Sequence, residues 1–156
     1  DLYGRTKALG EVTAEGCLTL RTSIIGRERS GTAGLVEWFL SRRSSTADGY
    51  RRAIFSGLTT AELSQVILRV IDEHPTLQGL YHVSAAPIDK YALLTLLDKA
   101  YGTSVTITPR DAPAIDRSLD SDRFRRTTGI VPPAWEAMVD AMAADATPYD
   151  LLRAAG

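Results

Sequence analysis

The chain has 156 residues, 44% of them hydrophobic and 24% charged, with a net charge of −1, the balance of an ordinary globular protein with enough chain for one domain. No run of about 18 apolar residues occurs, which excludes a transmembrane helix. The near-neutral charge argues against bulk attraction to nucleic acid or to an anionic membrane. A single cysteine, Cys17, excludes an internal disulfide and a cysteine-cluster metal site.

Strand and helix signals alternate along the chain. Leu2, Lys7, Leu9 and Val12 stand among helix-tolerant residues and predict a short helix. The β-branched, apolar piece from Cys17 to Ile25, closed by Gly26, predicts one buried strand. A polar, glycine-rich loop follows through Gly34, and Leu35, Val36, Phe39 and Leu40 then recur at helical spacing to about Arg43. Ser44 to Gly49 read as a loop leading to a short strand, Arg52 to Phe55.

Thr59 with Glu62 three residues on is a capping box, opening an amphipathic helix that carries Leu63, Val66, Ile67, Val70 and Ile71 and ends before Pro75. Leu80 to Ser84 predict a strand, and Asp89 caps a helix that runs to Tyr101 and stops at Gly102. Val105 to Thr108 predict a strand broken by Pro109. Asp120 or Ser121 caps a short helix to Thr128, and Pro132-Pro133 open a last helix with Trp135, Met138, Val139 and Met142 inward. No internal repeat is present, and the alternation points to an α/β chain.

Arginine supplies 15 of the 18 basic residues. Its planar fork suits carboxylates and phosphates, so an anionic small molecule is a conceivable ligand, although most single arginines are solvated surface. Neither histidine has a suitably spaced second metal ligand. His74 sits at a helix end where a cation complements the dipole, and His82 lies within a strand.

The chemical candidate is Tyr3-Gly-Arg-Thr-Lys7. Positions i and i+4 of a helix share one face, so phenol and ammonium can point at one small volume. A nearby cation stabilises a phenolate, which suits a general acid serving a carbonyl reduction. Six tyrosines and three lysines in 156 residues would give such a pair by accident about once in nine such chains, so the spacing carries little by itself.

Context adds more. Tyr3 to Glu11 resembles the catalytic helix of extended short-chain dehydrogenases/reductases, in particular their dTDP-4-dehydrorhamnose reductase branch. Leu20-Arg-Thr-Ser23, Thr60-Ala-Glu-Leu63, Gly79-Leu-Tyr-His82, Ser118-Leu-Asp-Ser121 with Phe124, and Pro133-Ala-Trp135 are similar to later segments of that branch and follow in the same order. The resemblance implies an α/β fold: the C-terminal part of a Rossmann-type NAD(P)-binding fold with a small α/β substrate-binding region. The catalytic helix would lie at residues 1–12 and the substrate-binding portion at about 26–145. The dinucleotide-binding half would be absent.

The resemblance further implies that Tyr3 donates a proton to the C4 carbonyl oxygen of a nucleotide-linked 4-keto sugar and that Lys7 holds the ribose of NADP or NAD. Thr22 and Ser23 would border the nicotinamide, and Ser23, Ile24, Arg117 and Arg110 the substrate. It implies a nucleotide-sugar partner, no metal, no nucleic acid and no membrane, and it allows a homodimer. Three departures stand out. Ile24 replaces an aromatic residue, Pro113-Ala114 align with an Arg-Pro pair, and Gly26, Gly31 and Gly34 lack the spacing of a dinucleotide loop.

The start at Asp1, without a leader peptide, fits the later portion of a longer cytoplasmic enzyme that would bind cofactor poorly without its other half. Epimerases and 4,6-dehydratases of the same superfamily reuse the Tyr and Lys, and a non-catalytic binding subunit is a further reading.

Overall fold

The computed structural model describes residues 2–154; Asp1, Ala155 and Gly156 lie outside the described residues. In its first part the elements are α1 (Leu2–Leu9), β1 (Leu18–Arg21), β2 (Ile24–Ile25), α2 (Leu35–Leu40), β3 (Thr46–Tyr50), β4 (Ala53–Phe55), β5 (Leu58–Thr59) and α3 (Thr60–Glu73). There follow β6 (Gly79–His82), β7 (Ile88–Asp89), α4 (Lys90–Tyr101), β8 (Thr106–Arg110), β9 (Ile115–Asp116), α5 (Asp122–Thr128), α6 (Trp135–Ala143) and α7 (Tyr149–Ala154). The chain is mixed α/β, with its strands in four small sheets ordered β1-β6, β2-β5, β3-β8 and β7-β4-β9.

The helix signals held where capping chemistry supported them. The Thr59 hydroxyl accepts from the Glu62 amide, and the Asp89 carboxylate accepts from the Ala92 amide at 2.8 Å. Each side chain satisfies one of the orphan donors of a first turn. Gly102 ends α4 at φ 57°, in the left-handed region that favours glycine.

The apolar stripe of α4, Leu93, Leu94 and Leu97, is fully buried and packs between α6 and the β3-β8 pair. Trp135, Met138, Val139 and Met142 face inward from α6, as their spacing predicts. Phe124 of α5 is buried edge-on to Tyr81 at 6.1 Å between centroids.

Five expectations need correction. The run from Cys17 to Ile25 is two strands, because the chain changes partner at Thr22-Ser23. Arg21 is the last residue paired to β6, and Ile24 begins the pairing to β5. The stretch read as a loop before Tyr50 contains β3, parallel to β8 with Gly49 opposite Pro109. Its residues, Thr-Ala-Asp-Gly-Tyr, have little intrinsic strand preference, but Ala47 and Gly49 alternate inward and α4 covers them.

Pro109 does not end its strand, since among the described residues β8 has a neighbour on one side only and an edge tolerates a missing donor. The helix from Leu35 ends at Leu40 rather than Arg43, and α7 follows α6. A Cβ on Gly49 would stand 2.8 Å from Ile107 and 3.0 Å from the Tyr91 Cα, so glycine lets α4 lie directly on the strand. Gly49→Ala is therefore expected to destabilise the chain by about 1–3 kcal/mol through overpacking, read as a lowered urea midpoint with the slope unchanged.

Candidate functional site

Tyr3 and Lys7 lie on α1, and the Lys7 ammonium stands 5.6 Å from the Tyr3 ring centroid. The one-turn spacing thus brings both groups to one side of the helix. Every described residue of α1 is exposed, Tyr3 to 72%. Past the helix end, Glu11 accepts two hydrogen bonds from the Arg21 guanidinium at 2.5 and 2.7 Å, and Arg21 Nη1 lies 3.5 Å from His82 Nε2. The hydrogen bond from Arg21 holds the Glu11 carboxyl below the usual carboxylate range. This fork ties the chain that leaves α1 to the end of β1.

Thr22 and Ser23 follow the C-terminal end of β1 where it lies parallel to β6. Ligands of open α/β sheets collect at such strand ends. The Ser23 carbonyl accepts from the Leu58 amide at 2.9 Å, which fixes the turn, and Ile24 is 52% exposed.

A cleft of about 330 Å³ opens beside the β7-β4-β9 sheet, lined by apolar side chains including Ile25, Leu35, Ile54 and Phe55, with Lys90 and Arg117 as its cations. The Arg117 amide donates to the Ile54 carbonyl at 3.0 Å, so Arg117 is anchored on the rim by its backbone. Lys90 is the first residue of α4, where the helix dipole disfavours a cation. Its ammonium stacks on the rings of Trp38 and Tyr50, at 4.6 and 5.1 Å from their centroids. Burial pushes the Lys90 ammonium below its ordinary value, against the opposing pull of Asp48. Such a surface suits a ligand with an apolar, flat part and a negative part.

The structure brings only some of the sequence candidates together. Arg117 lines the cleft, whereas Arg110 donates to Asp48 at 3.0 Å and is absent from the lining. Tyr3 and Lys7 pair with each other but do not line it either. Trp38 is half-buried and serves as a platform for Lys90 and Arg42. Lys90 escaped sequence reasoning, although a lysine directly after a helix-capping aspartate is out of place by charge and was a readable signal. Among the described residues no cluster of metal-ligating side chains occurs, and no helix is long and apolar enough to cross a membrane.

The sequence matches no protein-family model and no curated protein. Solved structures do match its fold. A hypothetical dTDP-4-dehydrorhamnose reductase from Sulfolobus tokodaii is 22% identical, with a TM-score of 0.67 over 88% of this chain and 53% of that one. The dTDP-4-dehydrorhamnose reductase of Bacillus anthracis, in complex with NADP, is 19% identical, with a TM-score of 0.67 over 90% of this chain and 50% of that one. UDP-glucose 4-epimerase of Thermotoga maritima, with UDP-glucose, is 16% identical, with a TM-score of 0.59 over 81% of this chain and 44% of that one. The chain spans about half the length of these structures, and over that span it shares the α/β fold of Rossmann-type sugar-nucleotide enzymes.

Proposed function

We propose that this chain is the C-terminal portion of an NAD(P)-dependent reductase acting on a nucleotide-linked 4-keto sugar, with its catalytic helix at residues 1–12 and its substrate-binding portion at 26–145. The observation that carries this reading is the convergence of Tyr3 and Lys7 on one exposed helix face, 5.6 Å from ring centroid to ammonium. The fold likeness to dTDP-4-dehydrorhamnose reductases supports it. The reading implies a cytoplasmic enzyme.

The residues present fit the nicotinamide end of the cofactor. Lys7 and Tyr3 offer donors to a ribose, and Thr22 and Ser23 lie at a parallel strand end. They do not offer a diphosphate cradle. Gly34 precedes the short α2, and a Cβ there would press on the Glu28 carboxylate, a charge that repels phosphate. That half of the binding is assigned to the rest of the longer enzyme. When bound, the nicotinamide supplies the hydride.

The roles of this chain's residues follow from charge. Tyr3 gives its phenolic proton to the ketone oxygen as negative charge builds there, and the Lys7 ammonium stabilises the oxygen left behind. The apolar wall of the cleft takes the flat base, while Arg117 and Lys90 face the diphosphate. Arg110, tied to Asp48, is assigned a lesser part in substrate binding.

Epimerisation or 4,6-dehydration is the second reading, favoured by the likeness to UDP-glucose 4-epimerase and by a dTDP-glucose 4,6-dehydratase with a TM-score of 0.59. The full-length enzyme separates the two. Incubated with a dTDP-linked 4-keto sugar, a reductase releases one oxidised cofactor per sugar consumed. Conversion of the corresponding 4-hydroxy sugar nucleotide, with the cofactor retained and no net oxidation, and no consumption of the 4-keto sugar, would replace the reductase reading with the epimerase or dehydratase one.

A further inference from the structure

A second cavity, of about 300 Å³, shares no lining residue with the apolar cleft. It lies where the loop after β2, the end of α2, Tyr101 and α7 meet, and three arginines line it, Arg27, Arg43 and Arg153, the Arg43 guanidinium also donating to the Gly102 and Tyr101 carbonyls at 3.2 and 3.4 Å. Two carboxylates, Glu37 and Asp150, also line it, and the hydroxyl-bearing Thr32 and Ser41 complete its polar wall.

The two carboxylates differ in kind. The Glu37 side chain is 3% exposed and committed through both oxygens: Oε1 accepts from Arg27 Nε at 2.6 Å and from the Glu28 amide at 3.0 Å, and Oε2 pairs with Arg153 Nη1 at 2.9 Å. Removing it would strand two cations. The Asp150 side chain is 87% exposed and reaches Arg27 Nη2 only at 3.4 Å, besides its pairing with Arg153 three residues on. It rides on α7, six residues long with none buried. Asp150 is thus the one negative group of the cavity that can leave without disturbing the core.

Three guanidiniums against Glu37 alone leave a charge of +2, the complement of a phosphate dianion, and guanidinium forks match phosphate oxygens two at a time. We propose that this cavity binds a phosphate dianion, free or as a monoester, for which Asp150 is the built-in substitute, and that phosphate entry displaces the Asp150 carboxylate while Arg153 stays in place on Glu37. The site stands apart from the substrate cleft and does not depend on the reductase reading.

Titration of the 156-residue chain with inorganic phosphate at low ionic strength, followed by calorimetry, tests it. Saturable binding is expected, tightened about tenfold by Asp150→Asn and weakened about tenfold by Arg43→Gln, the range of one charge-assisted hydrogen bond. Chloride at equal ionic strength should not compete. A parallel titration with glycerol 2-phosphate distinguishes free phosphate from an ester as the preferred form. Phosphate that fails to saturate the Asp150→Asn chain, or binds it no more tightly than the parent, overturns the proposal; circular dichroism of the variant confirms that the comparison is between folded chains.

Discussion

Tyr3→Phe in the full-length enzyme is expected to lower the rate of ketone reduction by about 10²- to 10⁴-fold, the usual contribution of a positioned general acid. The thermal midpoint should not move, since the Tyr3 side chain is largely exposed. This combination separates chemistry from folding. Lys7→Gln should also lower the rate and in addition raise the KM for cofactor, because it removes both the cation beside the phenol and a ribose donor. A Tyr3→Phe enzyme that retains its parent's rate would eliminate proton donation by this residue and favour a binding role for the whole chain.

The largest stability effect is expected at Glu37. Its buried carboxylate answers Arg27 and Arg153, whose side chains are only 16% and 17% exposed. Glu37→Gln leaves two mostly buried guanidiniums with only the exposed Asp150 as counter-ion, and breaking a buried pair from one side costs about 3–5 kcal/mol. For a chain of this size that corresponds to a drop of roughly 10 °C or more in Tm. Glu73→Gln is the contrast. It removes an ion pair of similar geometry, Arg69 Nε to Glu73 Oε1 at 2.8 Å, but both side chains are about half exposed and the Tm should stay where it was. Equal effects at the two sites would mean that Glu37 is not the buried anchor its contacts describe.

Much of the architecture was readable because local chemistry and tertiary packing agreed. The Thr59 and Asp89 caps, the Gly102 stop and the inward stripe of α6 each follow from residue type and spacing alone. The misreadings share a physical reason, which is that long-range partners decided the outcome. β3 exists because β8 and α4 hold a segment that would otherwise be a turn, and the break at Thr22-Ser23 is set by strands β5 and β6 far along the chain.

The site divides in the same way. The Tyr3 and Lys7 pairing is local to one helix turn and was legible. Arg117 was the favoured arginine by its place beside the extended Ser118–Ser121 stretch, whereas the engagement of Arg110 by Asp48, 62 positions away, was visible only in the fold. Glu37 carried a faint signal, a lone acid within Leu-Val-Glu-Trp-Phe-Leu, but its two arginines lie on either side of it in sequence and could not be matched to it by spacing.

The short β1-β6 ladder is unlike at its two margins. On the β6 side the Arg123 guanidinium donates to the Leu80 carbonyl at 3.2 Å and stacks on Tyr81, so a bulky cation stands where another backbone would have to dock. On the β1 side no strand among the described residues occupies the flank. An unguarded ribbon margin is a template for lateral growth of the sheet. Prepared at high concentration, this polypeptide should be handled with that flank in mind, since one side of this ladder is shielded against recruitment of further backbone and the other invites it.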